Sequence, residues 1–175
     1  NDTASDFSVQ LAGAQNAGAD LVFLPIYYQP ASIIFSQAKA MGYAPTFFGV
    51  DGMDGILTMP GFDASLAEGL MLMTPFSADD EKNADFVNAY KDKYGDTPDQ
   101  FAADAYDGVH AVAEAVKEAG LGVDADPTEV AEKLSKAMLK ITVDGLTGKL
   151  TWNDKGQVQK EPTAYVITDG KYVQA

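Results

Sequence analysis

The sequence predicts an α/β fold built on a parallel sheet. Three observations carry that prediction. Short apolar runs alternate with helix-period segments through the first part of the chain, and the joints between them are short. The runs are also apolar at consecutive positions, as expected of strands buried on both faces rather than on one. A chain of 175 residues can bury roughly 70% of the surface its unfolded form exposes, so it needs no disulfide or metal to hold a core.

Each element has a local cause. Over residues 6–17, Phe7, Leu11 and Ala14 recur at helical spacing, Ser5 or Asp6 can cap the start, and Gly18 ends the helix. Leu21-Val22-Phe23-Leu24 is the first strand. A second helix follows Pro30, with Ile34, Ala38 and Met41 on one stripe and Gly42 placed for a left-handed C-terminal cap. The next apolar run, Thr46-Phe47-Phe48-Gly49-Val50, breaks at Asp51-Gly52. A short helix over residues 64–68 precedes a third strand over residues 69–73.

After Thr74-Pro75-Phe76 the pattern changes to long helices, which makes Pro75 the candidate boundary between two halves. Ser77 can cap a helix with Phe86 and Tyr90 inward, ending at Gly95. Thr97-Pro98 opens another that runs to Gly120, with Tyr106, Val109, Ala113 and Val116 expected inward. Asp126-Pro127-Thr128-Glu129 opens a third, carrying Val130, Leu134 and Met138. The tail returns to strands, Leu150-Thr151-Trp152 and Ala164-Tyr165-Val166-Ile167, with turn signals at Asn153-Asp154-Lys155-Gly156 and Asp169-Gly170.

Composition excludes several function classes. The 12 basic residues against 26 acidic ones leave a net charge of −14, and every cation is a lysine. Without arginine forks, phosphate and base edges have poor counterparts, so nucleic acid is not an expected partner. No run approaches the roughly 20 apolar residues of a membrane span. The chain opens on Asn1-Asp2-Thr3-Ala4 with no initiator Met or signal peptide, as a mature product or an excised piece does. No cysteine is present, which removes thiolate chemistry and cysteine zinc sites.

Chemistry-bearing residues are sparse. His110 is the one histidine and has no partner for a triad or a metal site, so it reads as structural or exposed. Asp51-Gly-Met-Asp54-Gly and Asp124-Ala-Asp126 do not follow the oxygen spacing of a calcium loop and read as solvated acids and helix caps. There is no G-x-G-x-x-G fingerprint and no G-x-S-x-G elbow, so neither a nucleotide cofactor nor a serine hydrolase is expected. No cofactor and no metal is assigned. What remains is placement: ligands of open parallel sheets sit beyond the carboxyl ends of the strands. Tyr27-Tyr28 follows the first strand and Asp51-Gly52 the second. Aromatic faces with a carboxylate suit an organic cation or an ammonium group.

Several segments, in this order, carry a family resemblance: Gly18-Ala-Asp-Leu-Val-Phe-Leu-Pro-Ile-Tyr-Tyr28, Ala38-Lys-Ala-Met-Gly-Tyr-Ala-Pro45 and Phe48-Gly-Val-Asp-Gly52. They are followed by Phe86-Val-Asn-Ala-Tyr-Lys-Asp-Lys-Tyr-Gly95, Phe101-Ala-Ala-Asp-Ala-Tyr-Asp107, Val143-Asp-Gly-Leu-Thr-Gly148 and Trp152-Asn-Asp-Lys-Gly156. Together they resemble the second half of a type I periplasmic binding protein, in the leucine/isoleucine/valine-binding group of ABC-transporter receptors. The resemblance implies Rossmann-like lobes with parallel sheets, truncated at the N-terminus. It places residues 1–76 in the second lobe, 77–160 in the first, and 161–175 in strands returning across the hinge.

Carried over position by position, Tyr27 matches the family's cleft aromatic and Asp51 its acidic contact to the ligand's α-ammonium. Phe101 matches the aromatic that packs on the ligand side chain. Tyr28 and Asp104 join the candidate set by adjacency. The implied function is extracytoplasmic capture of a branched-chain or other neutral amino acid, in the periplasm or at the cell surface, for an ABC transporter permease. A sensory or regulatory ligand-binding domain of the same fold is the alternative, and an enzyme is disfavoured. Half of the family's site is missing, so the chain alone is expected to bind the parent's ligand weakly or not at all. Unpaired parallel strands make a homo-oligomer or domain swap a further expectation.

Overall fold

The computed structural model describes residues 4–161 and 163–175. Two compact units are present: one runs to Gln100 and takes in the C-terminal strands, and the other is Phe101–Glu161. The first unit opens with α1 (Ser8–Asn16), β1 (Leu21–Leu24), α2 (Tyr28–Ala40) and β2 (Thr46–Gly49). Three 3-10 turns, Asp51–Met53, Ile56–Thr58 and Ala64–Ala67, lead to β3 (Met71–Met73). A further 3-10 turn, Glu81–Asn83, runs into α3 (Ala84–Tyr94), which ends at left-handed Gly95 with φ 74°.

The second unit takes up α4 (Gln100–Ala119) from its second residue onward. It continues with α5 (Pro127–Met138) and an antiparallel sheet of β4 (Val143–Gly145), β5 (Gly148–Trp152) and β6 (Val158–Gln159). The chain then returns to the first unit as β7 (Ala164–Thr168) and β8 (Lys171–Gln174). Asp169 and Gly170, with φ of 52° and 70°, make the tight turn between these two strands, the geometry that an Asp-Gly hairpin signal announces.

The five-stranded sheet has the order β1-β2-β3-β7-β8. β1, β2 and β3 are parallel, while β7 and β8 add on antiparallel. Leu24, Leu72, Tyr165 and Ile167 point to one face and form a single core with Leu11 of α1 and with Ala31, Ile34, Phe35 and Ala38 of α2. The period-2 alternation of strand side chains separates this face from the other.

Several expectations change here. β1 is not buried on both faces: it is the outermost strand of the sheet, and Leu21 and Phe23 are 53% and 52% exposed. Phe23 shares its register position with Phe48, and the two rings pack at 5.7 Å. The inward side of α4 is Ala103, Asp107, Ala111 and Ala115, one residue per turn, whereas Val109 is 70% exposed and Tyr106 is exposed too. The small residues win because the close-packed side faces the β4 and β5 layer, where Ala111 meets Val143 and Leu150. Asp80, not Ser77, caps the turn before α3 by accepting the Lys82 N–H, while the Ser77 hydroxyl accepts from Asp79. The units also divide at Gln100, later than the compositional break at Pro75. Buried Phe76, packed on Phe86 of α3, and the Thr74 to Gln100 contact keep residues 76–100 with the first unit.

Candidate functional site

A cavity of about 380 Å³ lies past the carboxyl ends of β1 and β2 in the first unit. Phe7, Pro25, Ile26, Pro30 and Val50 give it apolar walls, and Tyr27, Asp51 and Gly52 complete it. Chain direction explains the location. Parallel neighbours β1 and β2 end on the same side of the sheet, so the loops after Leu24 and Gly49 come together there.

Each wall is held by a local device. Phe7 is fixed by its backbone N–H, which donates to Gln37 Oε1 on α2 at 2.8 Å. Tyr27 is the N-terminal cap residue of α2 in extended conformation, and its carbonyl accepts the Ala31 N–H at 3.2 Å. Pro30 sits in the first turn of α2, where its missing N–H has no intrahelical partner to lose. Gly52 is buried because the turn presses against the loop between β1 and α2: a Cβ there would meet the Ile26 carbonyl oxygen at 2.9 Å and the Tyr27 ring at 3.2 Å. The lack of a side chain at Gly52 is what lets the Asp51 turn and Tyr27 share one cavity.

The turn carrying Asp51 is anchored from below. The Asp51 carbonyl oxygen accepts the Asp54 N–H at 3.1 Å and the Gln100 side-chain amide at 2.7 Å. Asp54 is 4% exposed, and its carboxylate accepts the backbone N–H groups of Gln100 at 2.5 Å and Gly55 at 3.0 Å. Burial pushes the Asp54 carboxyl up to about 6, against the lowering effect of the Gln100 N–H. The buried Tyr172 hydroxyl beside it is driven above its ordinary range, first by burial and then by the Asp54 charge. Asp54 is therefore no solvated acid, as its place in a turn suggested, but a buried acceptor at the start of α4. Among the described residues no group of three or more His, Asp or Glu could hold a metal ion.

The five candidate residues separate. Tyr27, 59% exposed, and exposed Asp51 line the same cavity. Tyr28 does not join them: it opens α2, packs against the core, and its ring lies 3.0 Å from the position a Cβ would take at Gly55. Phe101, 38% exposed, and Asp104 belong to the second unit, on the first turns of α4. There Asp104 faces Lys160 at 3.4 Å, and Lys160 also lies 3.3 Å from the Thr147 hydroxyl. His110 is exposed and stacks near Tyr106 with ring centroids 4.5 Å apart.

A family description, periplasmic binding protein, matches residues 1–171. The chain belongs to the periplasmic binding protein family. A leucine-, isoleucine-, valine-, threonine- and alanine-binding protein of Pseudomonas aeruginosa is 30% identical over 156 residues, which is 88% of this chain and 39% of that protein. The structure of a branched-chain amino acid transporter substrate-binding protein of Streptococcus pneumoniae with isoleucine aligns at TM-score 0.78 and 27% identity, over 99% of this chain and 50% of that one. A solute-binding protein of R. palustris with benzoate aligns at TM-score 0.82 over 98% of this chain and 46% of that one, and at 18% identity it shares the fold. This periplasmic binding protein chain thus spans 39% to 50% of the length of these relatives. No helix among the described residues is long and apolar enough to cross a membrane.

Proposed function

We propose that this chain is part of an extracytoplasmic solute receptor of the ABC-transporter type, working with a membrane permease and capturing a neutral amino acid. The observation that carries the reading is the cavity where Tyr27 and Asp51 meet at the ends of two parallel strands. Apolar walls suit an aliphatic or aromatic side chain, and the Asp51 carboxylate with the Tyr27 ring suits an α-ammonium group. An aromatic carboxylate such as benzoate would bring its own negative charge toward Asp51, in a chain of net charge −14, and like charges repel. The amine-bearing solute is favoured for that reason. Phe101 and Asp104 remain candidate ligand contacts on the second unit. The reading assigns the chain no catalytic step.

The test is a titration of the isotope-labelled chain with L-leucine and, separately, with benzoate, followed by nuclear magnetic resonance, which detects millimolar affinities. L-leucine is expected to shift the amides of Tyr27 and Gly52, and Asp51→Ala to abolish the response. Removing one partner of a charge contact costs about 2–5 kcal/mol. A leucine response that survives in Asp51→Ala, or benzoate shifting the same amides while leucine does not, would overturn the reading.

A further inference from the structure

We infer that Gln100 is a positioning residue for Asp51: its side chain grips the Asp51 turn from inside the fold and so sets where the ligand-facing carboxylate stands. This rests on Asp51 being the ammonium contact. Three observations lead to it. Gln100 is 1% exposed and carries no charge, and its side-chain amide makes one contact to the turn and one to Thr74. Its amide nitrogen donates to the Asp51 carbonyl oxygen at 2.7 Å across 49 positions of sequence. Its amide oxygen lies 3.0 Å from the Thr74 hydroxyl, so the head group cannot flip without losing one of the two contacts.

The backbone of the same residue is fixed independently. The Asp54 carboxylate, from the same turn region, accepts the Gln100 N–H at 2.5 Å. The turn therefore holds the first residue of α4 by its main chain, and that residue holds the turn by its side chain. A closed pair of this kind restricts a short 3-10 segment that has few backbone bonds of its own, and positional precision of about half an ångström is what a preorganised site demands. Lining the cavity is left to Asp51 itself, since Gln100 and Thr74 are buried and do not line it.

The experiment uses Gln100→Met, which keeps length and removes the amide, and reads both the carbonyl carbon resonance of Asp51 and L-leucine binding. The expected result is a displaced Asp51 carbonyl resonance together with about tenfold weaker leucine binding, the scale of one lost hydrogen bond. In an Asp51→Ala background the same substitution should still displace the carbonyl resonance of residue 51, because the Gln100 amide bonds the backbone and not the carboxylate. Should Gln100→Met fail to fold, Thr74→Val removes the hydroxyl that orients the amide and carries the same expectation. An unmoved Asp51 carbonyl resonance overturns the inference. So does leucine binding within twofold of the parent while Asp51→Ala abolishes it. If Asp51→Ala leaves leucine binding intact, the receptor reading of the site fails instead, and the carbonyl resonance alone decides whether Gln100 holds the turn.

Discussion

Asp107 in the second unit and Asp54 in the first are both buried, at 2% and 4% exposure, and they are satisfied differently. Asp107 takes the Leu146 N–H at 2.9 Å, the Thr147 N–H at 2.8 Å and the Thr147 hydroxyl at 2.7 Å, so it pins the turn between β4 and β5 onto α4. Asp54 takes two backbone N–H groups, has the Tyr172 hydroxyl beside it and feels the charge of Asp99. The apolar surroundings differ as well. The first unit has a continuous core beneath its sheet, whereas among the described residues the second shows a smaller cluster of Ala111, Val143 and Leu150, with Ala103, Ala115 and Ala137 also buried. A unit with little apolar burial depends more on each polar lock, while a unit with a full core can carry an acid that is poorly solvated.

The largest expected effect tests that dependence. Asp107→Ala leaves three donors of a buried turn without an acceptor and should destabilise the second unit by about 3–5 kcal/mol. Hydrogen exchange at β4 and β5 amides reads this locally, and protection there should collapse while β3 and β7 stay protected. Equal loss in both sheets would break the comparison. Gly145 belongs to the same lock, because a Cβ at that position would strike the Asp107 carboxylate.

A smaller effect concerns Asp54 and pH. Its folded pKa lies near 6, above the ordinary 3.8, so the native state binds more protons than the unfolded chain between those values. Stability from this group is then full below about pH 3.8 and is lost as the pH rises through 6. Asp79, Asp99, Lys91 and Tyr172 face the same small cavity beside Asp54, and the Asp99 charge raises it further. Asp54→Asn should remove the dependence, so the parent falls by about 2–3 kcal/mol relative to it between pH 4 and 7, while the amide, with one acceptor oxygen, gives up one of the Gly55 and Gln100 N–H contacts at every pH. Urea melts at several pH values measure it, and parallel profiles for the two proteins would refute the assignment. The smallest effect is expected on the outer side of α4. Val109→Lys, at a position 70% exposed, should change stability by less than about 0.5 kcal/mol. A loss of several kcal/mol would restore Val109 to the inward face that periodicity assigned it.

That last case shows where sequence patterns mislead. Helix α4 has apolar residues on two sides, Ala103, Ala111 and Ala115 on one and Tyr106, Val109 and Val116 on the other. Hydrophobicity favours the larger side chains, but close approach to a sheet favours the smaller ones, and only the neighbouring β4 and β5 layer settles the choice. β1 is a similar case. Four consecutive apolar residues read as a strand buried on both faces, and nothing local reveals that it stands at the edge of the sheet. Tyr27 and Tyr28 were indistinguishable as a pair, yet one ends outside the helix and lines the cavity while the other starts the helix and packs under Gly55.

Local chemistry alone determined much of the rest. The strand and helix order through β2, the capped start of α5 at Asp126, the stop at Gly95 and the Asp169-Gly170 hairpin all follow from contacts within a few residues. So does the placing of Tyr27 and Asp51, because in a parallel pair the strand ends must lie on the same side. The roles of Gln100, Asp54 and Asp107 were not legible. Their long-range partners are 26 to 49 positions away along the chain, and a glutamine or aspartate looks the same in sequence whether it meets water or a buried backbone amide. Burial and long-range hydrogen bonding are properties of assembled tertiary structure, which is why the support beneath the cavity appears only when the chain is folded.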